Sequence, residues 1–533
     1  MTAPRRWLLG LTVALLALAL AVQALALLDA TWGFTTDDAY ISLRYARHLV
    51  AGEGLRWNVG EAPVEGYSNF SFVLAGAAAL AAGFDPVLVL KLLGAASMLG
   101  VLLLLPAFEE RGARAALGLA AGFLWLRYPW VPIWSASGFE TATYALVALA
   151  ALALAGGGAD ALERAEPARA RRALALAGVL VLVAALTRPE GPLVGVAIAA
   201  GAVAEGVRRR PGTTDGRRAG WRRTWAIVAP VALVSALPYA LYLGFKLAWF
   251  GDLIPNSVRC KAIFDGDPWA LLRDALPLIA WTLPLAALAL AWKPDQRRVG
   301  LAAFAALSLA ILHGADPILG HGNRHALAAY AALVALGVAG AAELAARALP
   351  RLGAPVRAAV LLVIAAALGL SALEPRLRLA RQTAEAYSGR EGARRELAAW
   401  LEARYGGEAR FVLGDCGVLG YFTRARIVDA LCLNSREMPR DPIRRDPEAF
   451  ARFVFERPPE VVVLSSSRPD RLAPRPDYGV YPALARHPAF ESQYRLGAIF
   501  GRPGDDLVYW TFERQAAVAG AVADPAAARS GAP

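Results

Sequence analysis

The stretch Trp32–Ser71 reads WGFTTDDAYISLRYARHLVAGEGLRWNVGEAPVEGYSNFS and lies between two strongly apolar runs. Adjacent carboxylates, Asp37 and Asp38, stand near the end of the first of these runs. Carboxylates beside a lipid bilayer are costly and are retained mainly where they have a function. The stretch therefore predicts a functional loop at a membrane surface, around which the rest of the chain is arranged.

The composition is typical of a multi-pass membrane protein. Of the 533 residues, 57% are hydrophobic, and long apolar runs recur as far as residue 373. We predict about 11–13 transmembrane helices from these runs. The candidate spans are residues 7–28, 69–83, 87–106, 114–126, 139–156, 173–187, 191–206, 224–249, 270–292, 299–312, 326–346 and 357–373.

Arginine-rich connections predict the orientation of the chain. Arg5 and Arg6 precede the first run, and positive charge remains on the cytoplasmic side, so the N-terminus is expected in the cytoplasm and loop 29–68 outside it. The first run also resembles a cleavable signal peptide, with a cleavage-like site at residues 24–26, but its length and the many spans after it favour an uncleaved helix. An extracytoplasmic C-terminal part requires an odd number of spans, whereas twelve runs are present. Either 69–83 or 114–126 is then a re-entrant segment, or the break at Phe84-Asp85-Pro86 lies elsewhere.

The net charge of +12 comes mostly from arginine. The arginines cluster in the connections between apolar runs, where they anchor helices on the cytoplasmic side. No basic stripe is interleaved with aromatic residues, so we do not expect nucleic-acid binding.

The chain changes character after the last apolar run. Charged residues and prolines become frequent from Glu374, and Phe411–Asp415, Arg426–Ala430 and Val461–Ser466 have the pattern of short buried strands. The turn Gly414-Asp415-Cys416-Gly417 lacks the lysine of a phosphate loop and is interpreted as the end of a strand. We therefore predict a transmembrane domain at 1–373, an extracytoplasmic α/β domain at 374–515 and a disordered, alanine-rich tail at 516–533.

The three cysteines do not have the spacing of a structural zinc site. Cys416 and Cys432 lie in the predicted α/β domain, where a disulfide between them is one expectation if the domain lies outside the cytoplasm.

Further polar residues at the ends of apolar runs are candidates for substrate binding. Ionisable residues at membrane depth are functional candidates, and Arg or Lys near the outer leaflet can bind a lipid phosphate. The alternatives are helix caps, paired charges and interfacial lysines and arginines. The candidates are Arg44, Glu65, Tyr67, Asn69, Glu140, Arg188, Glu190, Asn256, Arg259, Lys261, Asp316 and Arg324.

One loop carries a pattern that could bind a metal ion. His321 and His325 are four residues apart and Asp316 is nearby, so this loop could bind a divalent metal. The alternative is a site without a cofactor. Pro317 and Gly320 disfavour a continuous helix here, so we prefer Asp316 and Arg324 as residues that line a cleft.

The ordered set of motifs resembles a known family. The motifs DDAYISLRYARHLVAGEGLRWN, VEGYSN, SGFET, LTRPEG, FGDLIPNS, HGAD…R and GDCGVLGYF…RIVDALCLN are similar to those of the bacterial GT-C membrane glycosyltransferases, in particular the group of the terminal β-(1→2) arabinofuranosyltransferase. The resemblance covers about nine tenths of the chain. The sequence departs from the family's motifs at residues 257–261, 314–316 and 431–433. These departures bear on which sugar is transferred more than on the reaction class.

The resemblance implies a function. Enzymes of this family reside in the bacterial cytoplasmic (inner) membrane and move a sugar from a polyprenyl-phosphate donor to a hydroxyl of an envelope glycan or glycolipid, usually with inversion. An acidic residue of the first extracytoplasmic loop is the base, which implies Asp38 or Asp37, with Asp38 preferred. Two alternatives remain: a lipid or polysaccharide transporter, which should show two related halves that this sequence lacks, and a non-catalytic envelope assembly protein, which would not need the acidic pair.

Overall fold

In the computed structural model, the described residues are 3–109, 112–208, 214–261, 267–315, 321–407, 409–438, 446–474, 479–502 and 507–515. The predicted tail 516–533 and Asp316 lie outside these ranges. The helices are α1 (Ala3–Thr31), α2 (Asp37–Val50), α3 (Phe70–Ala81), α4 (Pro86–Leu104), α5 (Arg114–Trp125), α6 (Trp130–Ser135), α7 (Thr141–Glu163), α8 (Pro167–Thr187), α9 (Leu193–Arg208), α10 (Thr214–Phe250), α11 (Asn256–Lys261), α12 (Ala270–Ile279), α13 (Leu283–Trp292), α14 (Gln296–Ala310), α15 (Leu327–Ala348), α16 (Ala354–Leu370), α17 (Leu373–Tyr405), α18 (Cys416–Phe422), α19 (Pro447–Glu456), α20 (Tyr481–Arg486) and α21 (Pro488–Gln493).

Seven helices of the described ranges are long and apolar enough to cross a membrane, or eight if the bent pair α16 and α17 is one span. The seven are Arg6–Thr31, Pro86–Phe108, Thr141–Glu163, Pro167–Thr187, Asp215–Phe250, Ala270–Trp292 and Leu327–Ala348. The predicted polytopic membrane fold is confirmed, but this number is below the expected 11–13. Several predicted spans are short helices: α3 and α5 have 12 residues each, which extend roughly 18 Å against a hydrocarbon core of roughly 30 Å.

The C-terminal part contains a five-stranded mixed sheet with the order β2-β1-β3-β5-β4. Its central strand β3 has the sequence VVVLSS, and all six residues are buried, as expected for a strand covered on both faces. β1 is parallel to β2 and β3, whereas β5 is antiparallel to β3 and β4. The predicted α/β fold is confirmed, with strands β1 (Arg410–Leu413), β2 (Arg426–Asp429), β3 (Val461–Ser466), β4 (Tyr494–Phe500) and β5 (Val508–Arg514).

Loop 29–68 lies between the membrane helices and this sheet. Tyr45 and Trp57 share a hydrophobic core with Leu413 and Ile427 of the sheet. Trp57 Nε1 also donates to the Ile427 carbonyl oxygen at 3.2 Å. The loop and the C-terminal domain therefore pack as one unit.

A disulfide joins Cys260 in α11 to Cys432 after β2, with 6.1 Å between their Cα atoms. The expected Cys416–Cys432 bridge is wrong. Cys416 is a buried free thiol at the start of α18, and its Sγ lies 3.4 Å from Asp429 Oδ2. Cys416 and Cys432 share one predicted domain, which made their pairing one possibility, whereas the docking of α11 brings the distant Cys260 to Cys432.

We expect a non-reducing peptide map to contain one cross-linked pair, the peptides of Cys260 and Cys432, with Cys416 alkylated only after unfolding. Because the bridge closes a separation of 172 residues, its removal in Cys260→Ser should cost about 2–5 kcal/mol of unfolding free energy. Thermal unfolding of Cys260→Ser and of the control Cys416→Ser is measured in buffer with and without reductant. A cross-link that contains Cys416 would contradict this assignment.

Candidate active site

The acidic pair begins α2, where carboxylates favour the positive end of the helix dipole. Successive helical residues point about 100° apart, so the two side chains have different surroundings. Asp37 Oδ2 and Oδ1 accept hydrogen bonds from the backbone amides of Gly417 and Val418 at 2.8 and 2.9 Å. Asp38 Oδ2 instead accepts from Arg324 Nη1 at 3.2 Å.

The two carboxylates also differ in exposure. The Asp38 side chain is 31% exposed and that of Asp37 is 15% exposed. Burial raises the pKa of Asp37 to about 6, although the nearby Arg394 guanidinium opposes this shift. Asp38 is therefore the more accessible of the two carboxylates.

Arg324 is held by aromatic rings as well as by Asp38. Its guanidinium lies 5.2 Å from the ring centres of both Trp134 and Phe139. Cation–π contacts of this kind are strongest where the cation is desolvated, and Arg324 is 7% exposed. The loop residue predicted from the sequence is thus brought to the acidic pair, from 286 positions away.

Four further predicted residues meet in one buried polar network. Asn69 accepts from Ser42 Oγ at 2.7 Å and donates to Glu140 Oε2 at 2.9 Å. Glu140 Oε1 lies 3.6 Å from Arg188 Nη1, and Arg188 Nε donates to Glu190 Oε1 at 2.5 Å. The network connects α2, the start of α3, the start of α7 and the connection between α8 and α9.

The two glutamates share one arginine, yet their pKa values move in opposite directions. Burial raises the pKa of Glu140 above its ordinary value, and Arg188 only partly offsets this effect. Burial alone would raise the pKa of Glu190 too, but Arg188, His325 and a backbone hydrogen bond together outweigh burial and lower it. Burial also lowers the pKa of His325 to about 3, so its neutral ring nitrogen Nδ1 can accept a hydrogen bond from Arg188 Nη2.

The histidines of the possible metal loop point to different partners. His325 contacts Arg188, whereas His321 Nε2 lies 2.8 Å from the Tyr387 hydroxyl. Among the residues that the structure describes, no group of three His, Cys, Asp or Glu side chains is placed to hold a metal ion.

A second cluster surrounds Glu65 at the end of the loop. Lys246 Nζ lies 2.9 Å from Glu65 Oε2, the Tyr242 hydroxyl donates to Oε1 at 3.2 Å, and the Asn256 backbone amide donates to the Glu65 carbonyl oxygen at 2.8 Å. Burial raises the pKa of Glu65 to about 7, against the effect of Lys246. The buried Tyr67 hydroxyl has no hydrogen-bond partner within the described residues.

This second cluster borders a cavity of about 220 Å³, lined by Glu65, Asn256, Arg259 and Arg436 among others. Arg259 forms an ion pair with Asp252, and Nδ2 of the Asn256 side-chain amide donates to the carbonyl oxygens of Cys432 and Leu433 at 2.8 and 3.0 Å. The side chain of Lys261 lies outside the described residues. The polar loop after α10 is therefore tied to both the first loop and the C-terminal domain.

Arg44 lies apart from both clusters. Its guanidinium donates to the carbonyl oxygens of Trp57, Gly420 and Ala425 at 2.7, 2.6 and 2.8 Å. These bonds direct Arg44 into the junction between the loop and the C-terminal domain rather than towards Asp38. Sequence reasoning missed Arg394, which lies beside Asp37, because nothing distinguishes it from the other arginines of α17.

This chain resembles known proteins in fold, at low sequence identity. Residues 380–518 match a family model described as a domain of unknown function, DUF8728, and no curated protein is a significant match by sequence. ArnT from Cupriavidus metallidurans bound to undecaprenyl phosphate has a TM-score of 0.60 and 14% identity, over 93% of this chain and 98% of its own. The oligosaccharyltransferase of Archaeoglobus fulgidus in the apo form has a TM-score of 0.55 and 13% identity, over 92% and 80%.

Mycobacterial arabinofuranosyltransferase AftD has a TM-score of 0.50 and 18% identity, over 96% of this chain and 41% of its own. The three proteins differ in name and source, and what they share with this chain is the overall fold. The chain has the fold of the GT-C membrane glycosyltransferases.

Proposed function

We propose that this protein transfers a sugar from a polyprenyl-phosphate donor to a hydroxyl of an envelope glycan or glycolipid, with inversion. The observation that carries the proposal is the partly exposed Asp38 carboxylate, 3.2 Å from Arg324, at the head of α2 in a GT-C fold. Arabinofuranose is one candidate sugar, since AftD is among the similar structures. The similar ArnT structure holds undecaprenyl phosphate, which supports a lipid-linked donor.

The chemistry that we propose is a single displacement. The acceptor oxygen attacks C1 of the sugar while Asp38 takes the hydroxyl proton, and the bond between C1 and the phosphate oxygen breaks. The bonding electrons move to the phosphate, so negative charge grows on the leaving group. Fixed positive charge stabilises this developing charge, and Arg324, Arg259 and Lys261 are the candidates to supply it.

An apolar groove supports a lipid-linked substrate. The groove has a volume of about 310 Å³, lies between α8, α9 and α10, and is lined by residues such as Val181, Val196 and Val231. Tyr239 also lines the groove, and its ring lies 6.1 Å from that of Tyr242, which donates to Glu65. An isoprenoid chain in this groove would extend towards the polar loops.

We infer that the protein resides in the bacterial cytoplasmic membrane, with its N-terminus in the cytoplasm and with loop 29–68 and the C-terminal domain outside. The Cys260–Cys432 disulfide supports this orientation because such bonds persist in oxidising compartments. The arginine-rich connections 157–172 and 207–223 support it as well, since positive charge favours the cytoplasmic side.

The test is sugar transfer by the purified full chain in lipid nanodiscs, with a panel of radiolabelled polyprenyl-phosphate sugars and envelope glycan acceptors. We expect one donor to be consumed, with the label appearing in the acceptor and the anomeric configuration inverted. A folded protein that consumes no donor, yet moves labelled lipid between the leaflets of vesicles, would instead be a transporter.

A further inference from the structure

The C-terminal domain reaches the acidic pair through α18, a helix of seven residues. The first backbone amides of a helix have no partner within it and need an acceptor from elsewhere. For α18 that acceptor is Asp37, whose two oxygens each accept one amide, from Gly417 and Val418. Both oxygens of the Asp37 carboxylate thus accept a hydrogen bond from the C-terminal domain.

The other end of α18 is also held by α2, the helix that begins with Asp37. Arg44 Nη1 donates to the Gly420 carbonyl oxygen at 2.6 Å, and Arg47 donates to the carbonyl oxygens of Tyr421 and Thr423. The acid therefore lies at the amide end of α18 and the cations lie at its carbonyl end, the arrangement that the helix dipole favours. Asp37 and Arg44 are seven residues apart, so one face of α2 carries both contacts.

A third element fixes the same carboxylate. Arg394 of α17 has its Nε 3.7 Å from Asp37 Oδ1, and its Nη2 donates to Asp415 Oδ2 at 3.0 Å. The Tyr509 hydroxyl in β5 donates to the same Asp415 oxygen at 2.8 Å. Asp37 is therefore connected to the central sheet through one arginine.

Gly417 makes this close approach feasible. A Cβ atom at this position would lie 1.9 Å from the Asp37 carbonyl oxygen and 2.7 Å from its Oδ2. No side chain fits there unless α18 moves away from α2. The contact between the domain and the acidic pair thus depends on a glycine.

We propose that Asp37 is a positioning residue through which the C-terminal domain holds the reactive carboxylate of Asp38 in place. The assignment rests on the proposed function and gives a role to the domain whose family description states none. Both Asp37 oxygens are occupied by amides, whereas its neighbour Asp38 is more exposed. A misplacement of about 1 Å at a reacting group can cost about 10²-fold in rate.

The kinetic test compares Gly417→Ala and Asp37→Asn with Gly392→Ala, a helical glycine whose added Cβ would meet nothing within 4 Å. We expect kcat to fall about 10- to 100-fold in the first two variants, with the donor KM unchanged, and the third to match the wild type. Hydrogen–deuterium exchange of the Gly417 and Val418 amides should be faster in the first two variants, which would show that their hydrogen bonds to residue 37 are lost.

A rescue experiment separates a positioning residue from a base. Formate should restore transfer in Asp38→Gly, where it replaces the missing carboxylate, but not in Asp37→Gly. Rescue of Asp37→Gly alone, or a wild-type kcat in Gly417→Ala despite faster amide exchange, would overturn the assignment while leaving an active enzyme. A wild-type protein that transfers no sugar would instead overturn the proposed function and this assignment with it.

Discussion

The Asp38→Asn variant is expected to transfer sugar about 10²- to 10⁴-fold more slowly than the wild type, which is the usual contribution of a general base. Asparagine keeps the shape of the side chain and an oxygen that can accept from Arg324 Nη1, now 3.2 Å from Asp38 Oδ2. It cannot take a proton from the acceptor hydroxyl. The loss should therefore be in kcat, with the donor KM and the melting temperature close to those of the wild type.

The measurement is the single-turnover rate at saturating donor and acceptor. Asp274→Asn is the matched control, because Asp274 is an exposed acid in α12, and its rate should equal that of the wild type. A folded Asp38→Asn protein that transfers sugar within about twofold of the wild type would remove Asp38 as the base, since even a weak general base contributes about 10²-fold.

Much of the membrane fold could be predicted because it depends on local patterns. Apolar runs predict helices, and the uninterrupted VVVLSS predicts the buried central strand. The network of Asn69, Glu140, Arg188 and Glu190 was also foreseeable as a set of candidates. An unpaired charged residue at the end of an apolar run is costly, so such residues are expected to pair with each other or with a substrate.

What the sequence could not predict is which distant segments dock. Asp37 contacts Gly417 across 380 positions, and Cys260 pairs with Cys432 across 172. Periodicity identifies the polar face of α2 but contains no information about the surface that covers it. Arg44 shows the consequence: it was predicted as a substrate ligand from its charge, yet its hydrogen bonds fasten the loop to the C-terminal domain.

Arg188→Met is expected to lower the unfolding free energy by about 3–5 kcal/mol, the range for removing one partner of a buried ion pair. Methionine keeps an unbranched apolar stem like that of arginine but leaves Glu140 and Glu190 without their shared cation. The side chains of the two glutamates are only 3% and 11% exposed. Water therefore cannot solvate their charge, and thermal unfolding in a mild detergent should occur at a lower temperature.

Two further variants show whether the buried charge is the cause. Arg169→Met breaks a surface pair with Glu166, in which Arg169 is 71% exposed, so it should change stability by at most about 1 kcal/mol. The triple variant Arg188→Met, Glu140→Gln, Glu190→Gln removes the uncompensated charges and should recover part of the loss, because neutral amides are less costly to bury. If Arg188→Met alone were as stable as Arg169→Met, the three charges would not stabilise the fold, and substrate binding would be the better explanation for keeping them at this depth.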